Sequence, residues 1–113
     1  MADVIYLDFA DGVKRVMNNS KLYIKLITKF RNETKIDDLE AALAAGQLEA
    51  AQGHAHTIKG VAANLSLTEL FKQSLEIETQ IKAGAVLPEQ FGILKAAFEE
   101  TIKEVDKVIA ENG

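Results

Sequence analysis

Leu48-Glu49-Ala50-Ala51-Gln52-Gly53-His54-Ala55-His56-Thr57-Ile58-Lys59-Gly60-Val61-Ala62-Ala63-Asn64-Leu65 carries the pattern that decides the fold. Leu48, Ala51, Ala55, Ile58, Ala62 and Leu65 recur at alternating spacings of three and four. That is one stripe of an α-helix, a heptad-like seam facing a core. Once the seam points inward, Gln52, His56, Lys59, Gly60 and Ala63 fall on a different face, directed outward. A histidine and a lysine then stand one turn apart, bordered by residues with almost no side chain. Gly60 costs about 1 kcal/mol relative to Ala inside a helix, so its presence suggests that a bulky group must come close there.

The same periodicity extends in both directions, and strict alternation is absent. Upstream, Asn18-Asn19-Ser20 offers an N-cap to a stripe of Leu22, Tyr23, Leu26, Ile27 and Phe30. Asn32-Glu33-Thr34 loosens the pattern. A shorter helix through Ile36, Leu39, Ala42 and Leu43 ends at Gly46. Downstream, Ser66 or Thr68 is expected to cap a helix that runs to Lys82, and Ala83-Gly84-Ala85 with Pro88 marks a clear break. Pro88 suits the first turn of a last helix carrying Phe91, Leu94, Phe98, Ile102, Val105 and Ile109. Val4 to Met17 reads as a short N-terminal helix lying across the bundle, interrupted by Gly12. Amphipathic helices with short connections predict an all-α fold: an up-and-down antiparallel four-helix bundle with a short N-terminal helix. We expect a single domain over 1–113, with the core bundle at about 20–111.

Composition excludes several alternatives. With 113 residues the chain makes one domain, and 48% hydrophobic residues suffice for one core. Aromatics at 6% and a single Pro argue against a sandwich or barrel. A net charge of −4 without a basic run makes a poor nucleic-acid binder. The absence of Cys removes disulfides, thiolate catalysis and Cys-ligated zinc. The acidic N-terminus is unlike a signal peptide, and no stretch approaches the roughly 20 apolar residues of a membrane span. We therefore expect a cytoplasmic protein. Met1 and the closing Asn112-Gly113 lead us to expect a free-standing one, not a module detached from a larger sensor kinase.

The outward face suits phosphoryl transfer through histidine. An exposed neutral imidazole is a nucleophile near neutral pH, its unperturbed pKa being about 6.5. A lysine one turn on can set its ammonium beside phosphoryl oxygens. Little more is required of a carrier, because phosphoryl transfer is mainly positioning and charge stabilisation. His54 is no partner in a metal pair: two residues along a helix, it points about 200° away from His56. It reads as a flank histidine packed against a neighbouring helix. No glycine-rich phosphate loop, Ser–His–acid arrangement or catalytic carboxylate pair is evident.

Ala55-His56-Thr57-Ile58-Lys59-Gly60-Val61-Ala62-Ala63-Asn64-Leu65 closely resembles the phosphorylation motif of histidine-containing phosphotransfer (HPt) domains. The similarity reaches upstream through Leu39 to Gln47 and Ser20 to Phe30, and downstream through Leu67 to Gly84 and the terminal helix. One departure is Ser66, where the family usually has Gly; a Ser there tolerates a positive φ less readily. The resemblance implies a four-helix bundle that shuttles phosphoryl groups to and from the aspartate of a response-regulator receiver domain, within a relay fed by a hybrid sensor histidine kinase. It gives His56 the phosphoacceptor role, Lys59 the electrostatic role and Gly60 the clearance role. Glu78 lies where some members, notably of the chemotaxis-kinase type, have an acid that hydrogen-bonds the imidazole. Gln73 and Gln80 are alternatives, since other members have Gln in this area. Gln52 often aligns with a basic residue and is neutral here. The implied protein is a carrier with no autokinase activity, no bound cofactor and no metal of its own, with Mg2+ expected on the receiver. It contacts neither nucleic acid nor membrane. The alternative is a non-phosphorylated helical scaffold or inhibitor binding kinases or receivers through the same face.

Overall fold

Ala51, Ala55, Ile58 and Ala62 are buried in one continuous helix, as their spacing requires, and that helix organises the rest. The structure, a computed structural model, describes residues 4–34 and 36–112; the reading of the chain's two ends at Met1 and Gly113 lies outside them. The helices are α1 (Phe9–Arg15), α2 (Ser20–Glu33), α3 (Asp37–Ala44), α4 (Leu48–Asn64), α5 (Thr68–Lys82) and α6 (Gln90–Asn112), with no strand among the described residues. The long helices α2, α4, α5 and α6 make the four-helix bundle, and α1 is the short N-terminal helix. Helix α4 packs on α5, α5 on α6 and α6 on α2, while α3 leans on α4 and α1 on α2.

The core is mainly aliphatic: Ile27, Leu39, Ile58, Leu67, Leu70, Ile77, Ile81, Leu94 and Val105 are buried around Tyr23 and Phe30. Leu48 and Leu22, placed on the core stripes by their spacing, are instead 38% and 39% exposed. Leu48 opens α4 and Leu22 lies in the first turn of α2, beyond the reach of facing helices. On the predicted stripe of α6, Leu94 and Val105 are buried and Phe91, Phe98, Ile102 and Ile109 pack partly against the core. Asn19 caps α2, its side chain accepting from Leu22 N–H at 3.0 Å. Arg31 ties α2 to Asp106 of α6.

Several boundaries depart from the sequence expectation, each for a physical reason. The N-terminal helix does not run from Val4 to Met17. Asp8 takes the N-cap position, accepting from Asp11 N–H at 3.1 Å, and Met17 and Asn18 turn left-handed with φ of 59° and 61°. Gly12 does not interrupt the helix; a Cβ there would lie 2.3 Å from the Tyr23 ring. Glycine is what lets α1 press against Tyr23, whose ring also meets Phe9 edge-on at 5.7 Å. Neither Ser66 nor Thr68 caps α5, because tertiary partners claim both hydroxyls: Ser66 donates to Asp11 and Thr68 to the Ile5 carbonyl. Pro88 precedes α6 and lies in a turn closed by Gln90 N–H on the Leu87 carbonyl at 3.0 Å.

Ser66 occupies the left-handed region at φ 57°, a conformation that costs about 1–2 kcal/mol for a residue with a Cβ. Its neighbours offset that cost. The Ser66 hydroxyl bonds Asp11, its carbonyl accepts from Asp8 N–H at 3.0 Å, and the preceding Leu65 carbonyl accepts from Tyr23 Oη–H at 2.6 Å. Burial pushes the Tyr23 phenol far above its ordinary pKa, so it is a permanent donor. The turn leaving α4 is thereby anchored from both α1 and α2.

Candidate functional site

His56 and Lys59 stand one turn apart on α4, on the side that faces α5. From α5 the Glu78 side chain, only 3% exposed, reaches between them. His56 Nδ1 lies 3.0 Å from Glu78 Oε2, and Lys59 Nζ lies 2.6 Å from Oε1. A buried carboxylate is costly unless paired and hydrogen-bonded, and here both oxygens are occupied. The Lys59 hydrogen bond holds the Glu78 carboxyl below its ordinary pKa, helped by the His56 hydrogen bond and the charges of Lys59 and Lys82, against a smaller opposing effect of burial.

That charge state fixes the imidazole. An ionised carboxylate only accepts hydrogen bonds, so Nδ1 is the nitrogen that donates. The neutral ring then carries its lone pair on Nε2. The His56 side chain is 68% exposed, so this nucleophilic nitrogen belongs to a ring open to solvent yet oriented from below. The supporting carboxylate does for the ring what a hydrogen-bonding carboxylate does for a metal-binding histidine: it sets tautomer and angle together.

The other sequence-predicted residues are distributed as follows. Gly60 is exposed, and a Cβ there would meet nothing within 4 Å, so the chain's own packing does not require glycine. Gln52 is half-buried one turn before His56, and among the described residues no hydrogen bond joins the two. Gln73 and Gln80 are engaged elsewhere. Gln80 donates to Gln90 and Glu76 at 3.1 Å and accepts from Leu87 N–H, while Gln90 donates to Gln73 at 3.0 Å. These amides fasten the α5–α6 connection, and of the candidates considered Glu78 is the one that touches the ring. His54 lies in a groove of about 820 Å³ between α2 and α4, beside Phe30, Ile58 and Val61. No group of three His, Asp or Glu side chains able to hold a metal occurs among the described residues.

Lys82 was missed from sequence. One turn beyond Glu78 on α5, it places Nζ 3.8 Å from Glu78 Oε2, with its side chain 58% exposed. The signal was available: an acid and a lysine four apart on one helix face each other.

The helical bundle thus displays a solvent-open histidine whose ring is held by a buried carboxylate. The family model described as Hpt domain matches residues 27–107, from the middle of α2 to near the end of α6, and the chain belongs to the Hpt domain family. That membership implies histidine phosphotransfer in phosphorelays, in which Hpt domains act as phosphocarriers and interact with receiver domains and kinases. Searches of curated proteins and of solved structures found no match. Among the described residues no helix is long and apolar enough to cross a membrane.

Proposed function

We propose that this chain carries a phosphoryl group on His56 Nε2 and exchanges it with the aspartate of response-regulator receiver domains, in a multistep relay fed by a hybrid sensor histidine kinase. The observation that carries the reading is the exposed imidazole hydrogen-bonded through Nδ1 to a buried, ionised Glu78. Transfer runs in either direction, because phosphohistidine and aspartyl phosphate are both activated and the partners decide. Lys59 supplies positive charge to the ring's support, Gly60 leaves clearance for the incoming receiver, and Gln52 borders the docking face without charge. The chain phosphorylates nothing by itself; the receiver brings the Mg2+ that its aspartate needs, and the exchange takes place in the cytoplasm.

The test is transfer from phosphorylated receivers of the same cell. His56→Gln folds, by circular dichroism, and takes no label, whereas His54→Gln takes it nearly normally. The label on the wild-type chain is lost in acid, as a phosphoramidate is. Label persisting in His56→Gln overturns the reading, and a folded wild-type chain that binds receivers but never accepts label is a scaffold.

A further inference from the structure

Glu78 has three positively charged or donating neighbours, and they are not held alike. The Lys59 ammonium is 2.6 Å from Oε1 with its side chain 21% exposed. Lys82 stands 3.8 Å from Oε2, beyond hydrogen-bond length, with its side chain 58% exposed. Removing Lys59 from a carboxylate that is 3% exposed would leave a buried charge without its closest counter-ion, which is costly. Removing Lys82 leaves Glu78 satisfied by Lys59 and His56, and an exposed, loosely paired lysine contributes little where it stands. Yet Lys82 and His56 Nδ1 approach the same oxygen, Oε2, so the loosely paired ammonium lies on the His56 side of the carboxylate.

Building on the phosphocarrier reading, we propose that Lys82, on α5, is the cation that meets the phosphoryl oxygens on His56, while Lys59 stays behind as the counter-ion of Glu78. The motif on α4 assigns that contact to Lys59; the geometry assigns the two lysines different tasks. In the step itself the Nε2 lone pair forms the N–P bond as the P–O bond to the receiver's aspartate breaks, and the aspartate leaves with that electron pair as a carboxylate. The ring keeps its Nδ1 proton in the hydrogen bond to Glu78 and becomes a phosphorylated imidazolium. Its positive charge is set against Glu78, and the phosphoryl oxygens carry a double negative charge into solvent. Lys82 reaches them by rotating a flexible four-carbon stem, without breaking a tight ion pair.

Phosphoramidate, a small-molecule donor, tests this without a partner protein. Wild-type, Lys82→Ala, Lys82→Arg and Lys59→Ala chains are phosphorylated with it, and the N–P group is followed by phosphorus NMR across pH and with time. Lys82→Ala is expected to raise the pH at which the doubly negative phosphoryl group takes up its first proton and to shorten its lifetime roughly two- to fivefold, the size of one screened ion pair. Lys82→Arg restores most of both. Lys59→Ala leaves the phosphoryl titration at its wild-type position and instead destabilises the unphosphorylated chain in urea unfolding, because Glu78 loses its closest counter-ion. Should Lys59→Ala fail to fold, Lys59→Gln keeps a hydrogen-bond donor for Glu78 Oε1 without the charge and gives the same readout. An unchanged phosphoryl titration in Lys82→Ala, or a shifted one in Lys59→Ala, overturns the inference alone. An N–P signal that never forms, or that survives in His56→Gln, overturns the proposed function with it.

Discussion

Replacing Glu78 by Gln keeps the volume of the side chain and removes its charge. The carboxylate now accepts from Lys59 at 2.6 Å and from His56 Nδ1 at 3.0 Å. A Gln amide has one oxygen and one NH2, so whichever way it turns, one neighbour loses its acceptor. With the oxygen toward His56, the NH2 group meets the Lys59 ammonium. With the oxygen toward Lys59, Nδ1 must become an acceptor, and the ring proton moves to Nε2, the attacking nitrogen. Hydrogen bonds to charged groups contribute about 1.5–3 kcal/mol, and the relief of burying a carboxylate returns part of that. We therefore expect Glu78→Gln to lose about 1–2 kcal/mol at neutral pH and to slow phosphotransfer. The pH dependence has a definite sign. Lys59 holds the Glu78 carboxyl below its ordinary value of 4.5, so its stabilisation is fully present above that value. It is lost as the pH falls through the lowered folded-state pKa. Urea unfolding of the two proteins should give free energies that differ at neutral pH and converge in acid, with nitrogen NMR of the ring reporting the tautomer. Equal stabilities at neutral pH, or a gap that widens in acid, would refute the reasoning.

Three further outcomes are expected. Gly12→Ala drives a Cβ to 2.3 Å from the Tyr23 ring and should cost about 1–3 kcal/mol in urea unfolding, as overpacking does; Gly53→Ala, in open space, should be neutral or stabilising. Gly60→Gln should hold or raise thermal stability, since nothing lies within 4 Å of the new Cβ, yet slow transfer from a phosphorylated receiver; unimpaired kinetics would remove the clearance role. Ser66→Ala keeps the left-handed strain and loses the hydroxyl bond to Asp11, so it should destabilise by about 1 kcal/mol, whereas Ser66→Gly should be nearly neutral because relieved strain offsets the lost bond.

What the sequence made legible was periodic, and what it hid was tertiary. The α4 stripe set its outward face, because a helix that buries Ala51, Ala55, Ile58 and Ala62 must present His56 on another side. That the ring rests on Glu78, and not on Gln73 or Gln80, depends on how α5 is rotated. Burial of Leu70, Ser74, Ile77 and Ile81 fixes that rotation and turns the glutamines toward α6 and its loop. The ambiguity thus came from a helix with polar groups on both flanks of its core stripe. Caps failed for a related reason. Ser66 and Thr68 are good capping residues by type, but Asp11 and Ile5, far away in the chain, compete for their hydroxyls. Gly12 shows the same limit, since the aromatic ring that needs its missing side chain belongs to another helix.

The fastening of α1 to the turn between α4 and α5 has a consequence for how the molecule breathes. Helix α1 is short and borders only one flank of the bundle, so its opening should cost less than opening the four long helices. Yet when it lifts, Ser66 loses the Asp11 carboxylate and the Asp8 amide together, and the end of α4 keeps the Tyr23 phenol on the Leu65 carbonyl and its own closing bond from Leu67 N–H to the Ala62 carbonyl. Amide protons of α1, with the Asp8 amide that donates to the Ser66 carbonyl, would then exchange with solvent ahead of the bundle, while those of Leu65, Ser66 and Leu67 stay bonded to α4 carbonyls. The histidine-bearing turn lies on the protected side of that boundary. Thermal opening of the chain's first segment can therefore proceed without disturbing the His56–Glu78 contact, and the carrier face stays preorganised while the end of the molecule loosens.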